Sequence, residues 1–110
     1  DPVETSIDLY EQGRAVASEV APEVPLWVTE IGLSTEGKGA VSPEEQRDGV
    51  NEIVSHIAAD GIPVVVVHRF FDDPSSPLRF ERGFGVIDGD GKPKPAFCAA
   101  ADALGVTCEP

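Results

Sequence analysis

Two short apolar runs, separated by an amphipathic segment, dominate the hydrophobic pattern of this 110-residue chain. The first run is residues 25–32 (PLWVTEIG) and the second is residues 62–67 (IPVVVV). Both are short and rich in large apolar and β-branched side chains, which is typical of strands buried on both faces of a parallel sheet. The pattern therefore predicts two neighbouring strands in an α/β fold.

Glu30 is the one charged residue within these two runs. Side chains alternate along a strand, so we expect Glu30 to share a face with Val28. Trp27 is then expected on the opposite face, packed against a helix. An unpaired buried carboxylate is energetically costly, so a residue in this position is paired, hydrated or functional.

The segment between the two runs has strong helix signals. Ser42, Pro43 and Glu45 form the pattern of a capping box with proline in the first turn, and Gly61 is placed to end the helix. An apolar stripe at helical spacing runs through Val50, Ile53, Val54, Ile57 and Ala58. A strand, a helix and a strand in this order predict a right-handed crossover between parallel strands.

The flanking segments complete the predicted order of elements. Residues 6–21, capped by Ser6, and residues 96–104, closed by Gly105, are predicted as the first and last helices. Residues 68–85 are rich in Asp, Pro and Ser and are predicted as a long loop. The result is a succession of strands and helices without an internal repeat.

The charge of the chain excludes two classes of partner. Eight basic residues against 20 acidic ones give a formal net charge of -12. Such a surface repels phosphate backbones and anionic lipids, so neither nucleic acid nor a membrane surface is expected as a partner. No apolar run approaches the roughly 20 residues of a membrane-spanning helix, and any targeting segment is expected outside this chain.

Cys98 and Cys108 are the two cysteines, ten positions apart near the carboxyl end. A disulfide bond between them would attach the tail to the last helix and would indicate an oxidising compartment. The alternative is a pair of free thiols, and the spacing alone leaves both interpretations open.

Two parallel strands cannot form a stable sheet alone, because both edges and one apolar face stay uncovered. Further strands must come from chain outside these residues, or copies must associate. The first option fits a (β/α) barrel, whose chemistry lies on loops at the carboxyl ends of its strands. Glu30 and His68 both lie at that end of their runs, so adjacent strands would bring them to the same rim.

Three motifs, in order, resemble those of a known group of enzymes. They are residues 25–32, residues 42–46 (SPEEQ), and residues 84–88 (FGVID) followed by residues 91–97 (GKPKPAF). They are similar to the seventh strand, the start of the seventh helix and the ending of clan A glycoside hydrolases, the retaining (β/α)8 glycosidases, with families 5 and 39 nearest. The resemblance implies that residues 1–110 are one partial domain, the C-terminal segment of a TIM barrel.

The resemblance also implies an activity and a set of site residues. It places Glu30 at the catalytic nucleophile, one of two carboxyl groups about 5 Å apart that retaining glycosidases require. The acid/base of the family lies on an earlier strand outside this chain, so we expect the isolated chain to be inactive. His68, Phe71 and Asp72 are candidates for binding the carbohydrate substrate, in a secreted enzyme without a cofactor or a metal.

Two local patterns imitate other sites. Residues 32–39 (GLSTEGKG) resemble a phosphate-binding loop, but no Ser or Thr follows Lys38 and the next helix starts only at Pro43. A flexible loop is predicted there. Residues 88–91 (DGDG) resemble a calcium loop but lack the bidentate Glu, so a turn is predicted. The competing functions are therefore a non-catalytic carbohydrate-binding or structural fragment and a nucleotide-binding βαβ protein.

Overall fold

The computed structural model describes residues 1–110, and it contains the predicted βαβ unit. Strands β1 and β2 pair in parallel as a two-stranded sheet, joined through helix α2, which confirms the predicted order and direction. The elements in chain order are α1 (Pro2–Val20), β1 (Val28–Ile31), α2 (Pro43–Ala59), β2 (Val65–Val67), two 3₁₀ helices (Arg79–Gly83 and Pro95–Cys98) and α3 (Ala99–Ala103). No helix combines the length and the apolar character needed to cross a lipid bilayer.

Helix α1 begins about one turn earlier than the sequence pattern predicts. The side chain of Asp1 caps it by accepting a hydrogen bond from the Val3 amide at 2.8 Å, and Pro2 occupies its first turn. Ser6 lies inside the helix, where its hydroxyl donates to the Pro2 carbonyl at 2.8 Å. The predicted Ser6 cap is wrong because the Asp-Pro pair supplies a complete start signal four residues before it.

Helix α2 has the predicted capping box. The Ser42 hydroxyl accepts from the Glu45 amide at 3.1 Å, and the Glu45 carboxylate accepts from the Ser42 amide at 2.7 Å. The hydrogen bond that the Ser42 amide donates to the Glu45 carboxylate, followed by the contact with the Ser42 side chain, lowers the pKa of Glu45. At the other end, Gly61 follows the helix with a φ of 73°, a left-handed conformation that favours glycine.

The apolar stripe of α2 forms the centre of the core. Ile53 and Ile57 are fully buried in one cluster with Tyr10 of α1 and Leu33 of the loop after β1. Val50 and Val54 lie in a second cluster with Ala99 of α3. Ala58, at the margin of the stripe, is half-buried. Helix α2 therefore covers one face of the sheet and also joins the sheet to the helices before and after it.

The other face of the sheet is open. Trp27 is 60% exposed and Val66 is 46% exposed. The prediction that both strands are buried on both faces, with Trp27 packed against a helix, is wrong for this chain, because α2 covers one side only. The strands are also shorter than their apolar runs: β1 begins at Val28 and β2 at Val65.

The carboxyl-terminal region is less regular than predicted. The expected helix over residues 96–104 is a 3₁₀ helix, Pro95–Cys98, followed by the five residues of α3. Cys98 and Cys108 form a disulfide bond, with their Cα atoms 5.6 Å apart, that attaches the tail to this helical segment. The predicted long loop also contains a 3₁₀ helix, Arg79–Gly83, for which the sequence offered no periodic signal.

A polar contact joins α1 to the end of α2 and gives a testable pH dependence. The hydroxyl of Tyr10 donates to the Asp60 carboxylate at 2.8 Å. Burial, followed by this hydrogen bond, raises the pKa of Tyr10 from 10.0 to about 12. A raised pKa means that the stabilising contribution of this contact is complete below pH 10.0 and is lost as the pH rises through about 12.

Tyr10 is the only tyrosine in the chain, so the ultraviolet absorbance of tyrosinate reports it alone. We expect the folded chain to titrate with a midpoint near 12, and the urea-unfolded chain to titrate near 10.0. Asp60→Asn removes the negatively charged acceptor and should lower the titration midpoint of Tyr10 in the folded chain part of the way towards 10.0. Identical midpoints for the folded and unfolded chains would contradict the buried contact.

Candidate active site

A bulge in β1 decides where Glu30 points. Val28 pairs with Val65 and Ile31 pairs with Val67, so β1 uses one residue more than β2 over the same length. As a result Val28 and Ile31 both pack against the α2 core, although strict alternation would place them on opposite faces. The prediction that Val28 and Glu30 share a face is therefore wrong.

The bulge leaves Glu30 outside the apolar layer between the sheet and α2. Its side chain is 71% exposed. It lies at the carboxyl end of β1, on the rim of an open groove of about 510 Å³ between β1 and α1. A carboxylate in this place is free to meet a ligand at the uncovered side of the sheet.

His68 brings the end of β2 next to Glu30. Its backbone amide donates to the Ile31 carbonyl at 2.7 Å, which continues the parallel pairing beyond the strands. Its ring Nδ1 lies 3.9 Å from Oε1 of Glu30. The ring also meets Phe84 edge-to-face, with the centroids 5.2 Å apart. The predicted meeting of Glu30 and His68 at one rim is thus confirmed by the geometry of the sheet.

Gly32 makes the close approach of the two strand ends possible. A Cβ atom on Gly32 would lie 2.3 Å from the backbone carbonyl oxygen of His68 and 3.1 Å from a ring carbon of Phe84. Real Cβ atoms do not approach a backbone oxygen so closely, so this position has no room for a side chain. Glycine is required here for space and not for a left-handed backbone.

Glu81 joins this group although no sequence pattern indicates it. Its Oε2 lies 3.6 Å from Nε2 of His68. Glu81 belongs to the 3₁₀ helix Arg79–Gly83, thirteen residues beyond His68 in a segment with no regular pattern. Only the tertiary fold brings it back to the imidazole, so no local sequence signal would have found it.

Phe71 lies in the segment after β2, three residues beyond His68. It is 57% exposed and packs edge-to-face on Phe70, with the centroids 4.9 Å apart. The ring of Phe70 in turn packs at a tilt on that of Phe97, with the centroids 6.1 Å apart. An exposed ring held in place by aromatic neighbours is suited to stacking on a sugar, and the assignment of Phe71 to substrate binding stays a prediction.

Asp72 is held by contacts within the chain. Its carboxylate accepts from the Gly85 amide at 2.7 Å and from Nζ of Lys94 at 3.2 Å. The side chain of Lys94 is only 8% exposed and that of Asp72 16%, so this ion pair is sheltered. These contacts favour a structural role in fixing the loop, and the predicted binding role of Asp72 has no support from its surroundings.

The two segments that imitate other sites have structural explanations. In the glycine-rich loop, Thr35 donates its amide to the Gly83 carbonyl at 3.1 Å, and the Ser34 hydroxyl donates to the Phe80 carbonyl at 2.5 Å. The loop is therefore fixed by these bonds, in contrast to the flexible loop that was predicted. In the acidic turn, Asp88 accepts from the amides of Asp90 and Lys92, both at 2.9 Å, which confirms a turn.

No protein-family model matches the sequence, and no curated protein matches it. Solved structures do match the fold. A GH5_18 protein from Bifidobacterium longum subsp. infantis matches with a TM-score of 0.74 and 24% identity, over 99% of this chain and 26% of that one. A GH5_18 protein from Streptomyces cattleya, in complex with GlcNAc, matches with a TM-score of 0.72 and 19% identity, over 93% of this chain and 25% of that one.

A family 39 glycoside hydrolase from the gut symbiont Bacteroides cellulosilyticus WH2 matches with a TM-score of 0.63 and 29% identity, over 74% of this chain and 16% of that one. The chain thus spans about a quarter, or less, of the length of these three structures. The fold class is that of TIM-barrel glycoside hydrolases: two parallel strands with flanking helices. The predicted resemblance to clan A enzymes is confirmed, since structures from its families 5 and 39 are among those that match.

Proposed function

We propose that residues 1–110 are the C-terminal segment of the catalytic barrel of a secreted retaining glycoside hydrolase, and that Glu30 is its nucleophile. One observation carries the proposal. Glu30 stands at the carboxyl end of a strand, on the face that α2 leaves open, beside His68 at the end of the next strand. In a (β/α) barrel that rim is where the catalytic side chains lie.

A retaining enzyme with Glu30 as its nucleophile would work by double displacement. A carboxylate oxygen of Glu30 attacks the anomeric carbon, and the bond to the leaving oxygen breaks as that oxygen takes a proton from an acid/base. Water then attacks the glycosyl ester, loses its proton to the same acid/base and releases the carboxylate. The acid/base is supplied by barrel strands outside these residues, so the isolated chain is expected to show no turnover.

Carbohydrate is the proposed substrate class. One of the matching structures is a complex with GlcNAc, which supports carbohydrate as the class of ligand. We assign hydrogen bonding of a sugar hydroxyl to the half-buried ring of His68, and stacking to the exposed ring of Phe71. Sugar recognition in this arrangement requires neither a cofactor nor a metal.

The disulfide and the open sheet support two further parts of the proposal. A bond between Cys98 and Cys108 persists in oxidising compartments, which favours a secreted location. The uncovered face and free edges of the two-stranded sheet favour association with the rest of the barrel, or with a second copy when that is absent.

A carbohydrate-binding module without catalysis is the second candidate. The exposed pair of Phe70 and Phe71 favours it, because aromatic faces bind sugars without any reaction. The two candidates differ in one respect that an experiment can measure, which is the formation of a covalent bond to Glu30.

A trapping experiment tests the proposal in the intact protein. A panel of aryl 2-deoxy-2-fluoro glycosides, with gluco and manno configurations, is incubated with the protein, and the digested peptides are analysed by mass spectrometry. We expect one peptide to carry a fluoroglycosyl ester, located at Glu30. A label on another carboxylate, or turnover of the parent glycosides with inverted configuration, would overturn the assignment.

A further inference from the structure

We infer that Glu81 is a positioning residue that acts on Glu30 through the imidazole of His68. The inference rests on the proposed role of Glu30 as nucleophile and extends it to a residue that the sequence pattern did not indicate. Its basis is the placement of one imidazole between two carboxylates, with Oε1 of Glu30 3.9 Å from Nδ1 and Oε2 of Glu81 3.6 Å from Nε2.

The number of donors on the ring gives this placement a chemical meaning. A neutral imidazole has one N–H group and one lone pair, so it can present a donor to only one of the two carboxylates. The doubly protonated ring presents an N–H group to both. In this arrangement each ring nitrogen faces a different carboxylate, Nδ1 that of Glu30 and Nε2 that of Glu81. Both distances are those of ion pairs and exceed hydrogen-bond length.

Other charged groups near the ring are engaged elsewhere. Arg69, the next residue, contacts Asp73 with 3.5 Å between Nη1 and Oδ2. Arg79, on the same 3₁₀ helix as Glu81, contacts Glu36 with 3.4 Å between Nε and Oε2. The two carboxylates thus provide the charges that face His68, and the ring of Phe84 covers it from a third direction.

The segment that carries Glu81 is held in place from several sides. The Gly83 carbonyl accepts hydrogen bonds from the Thr35 amide at 3.1 Å, from Nε2 of Gln46 at 3.2 Å and from Nζ of Lys94 at 3.1 Å. Gln46 is 1% exposed and belongs to the first turn of α2. Glu81 is therefore attached to the scaffold that carries β1, and its side chain is less exposed than that of Glu30, 31% against 71%.

The physical consequence concerns the nucleophile. Glu30 has no partner other than His68 within ion-pair distance, so a restraint on the exposed carboxylate from within these residues comes through the imidazole. Glu81 contacts the opposite ring nitrogen and so opposes rotation of the ring away from Glu30. A catalytic group that is displaced by about 1 Å can lose roughly a hundredfold in rate, which sets the scale of the expected effect.

A double-mutant cycle in the intact protein tests this inference. The variants are Glu81→Gln, His68→Asn and the double variant, and the readout is the rate at which a 2-deoxy-2-fluoro glycoside labels the nucleophile. We expect Glu81→Gln to slow labelling about 10- to 100-fold while KM of the parent glycoside changes little. If Glu81 acts through His68, the double variant is no slower than His68→Asn alone.

Matched controls separate positioning from folding. Glu36→Gln also removes a carboxylate from an ion pair with the segment that carries Glu81, but its partner is Arg79 and not His68, and this variant should label at the wild-type rate. Glu81→Asp keeps the charge and should recover part of the lost rate. The inference would be overturned if the double variant labelled more slowly than His68→Asn by the full factor lost in Glu81→Gln. It would also be overturned if Glu81→Gln labelled at the wild-type rate. A label that does not reside on Glu30 would instead overturn the proposed function.

Discussion

Glu30→Gln is expected to lower kcat/KM for aryl glycosides by at least roughly a thousandfold in the intact protein, with folding unchanged. The amide has nearly the shape of the carboxylate but cannot form the glycosyl ester. Glu30 is largely exposed, so its replacement has little effect on thermal stability. Steady-state kinetics and thermal denaturation of the same preparation measure both quantities.

A rescue experiment makes this prediction specific for a nucleophile. In Glu30→Gly the space of the carboxylate is free for azide, which attacks the anomeric carbon from the same side and yields a glycosyl azide of inverted configuration. We expect azide to restore turnover of an activated aryl glycoside in this variant only. Glu23→Gln, an exposed glutamate before β1, is the control. Normal hydrolysis by Glu30→Gln would remove the assignment.

Gly32→Ala is expected to lower kcat/KM by roughly a hundredfold and to destabilise the protein by about 1–3 kcal/mol. The new methyl group would lie 2.3 Å from the His68 carbonyl oxygen, and a backbone atom cannot move aside as a flexible side chain can. The ends of β1 and β2 must then separate, and this moves Glu30 relative to His68. Kinetics and the free energy of unfolding measure the two effects.

Gly89→Ala is the matched control for this substitution. Gly89 lies in the exposed turn after residue 88, and a Cβ atom there would meet Pro74 at an ordinary distance of 3.6 Å. We expect activity equal to that of the wild type and a stability change within about 0.5 kcal/mol. If Gly32→Ala behaved in the same way, the close approach of the two strands would not be essential to the site.

Patterns that extend over a few residues were sufficient for much of the fold. The capping box of Ser42 and Glu45 and the buried stripe through Ile53 and Ile57 both depend on contacts within one helix turn or one helix face. The parallel pairing of β1 with β2 follows from the order and length of the elements. These features are decided locally, so the sequence predicts them correctly.

The candidate site was predicted only in part. The placement of Glu30 beside His68 follows from two strands that end at the same rim. The bulge in β1 was not predicted, because the apolar run contains no Gly or other signal of an extra residue between Val28 and Ile31. Strict alternation therefore predicts the wrong neighbours for Glu30. Its place at the carboxyl end of β1 follows from its position in the run and is correct.

By itself the sequence determined the βαβ unit, the helix between its strands and the residues at the ends of those strands, because each depends on propensities and periodicities of nearby residues. Only the tertiary structure decided that β1 bulges, that Gly32 lies against the His68 carbonyl and that Glu81 returns to the imidazole. These contacts join segments that are far apart in the chain, and their geometry depends on how loops pack between layers. No local pattern of side chains encodes that packing.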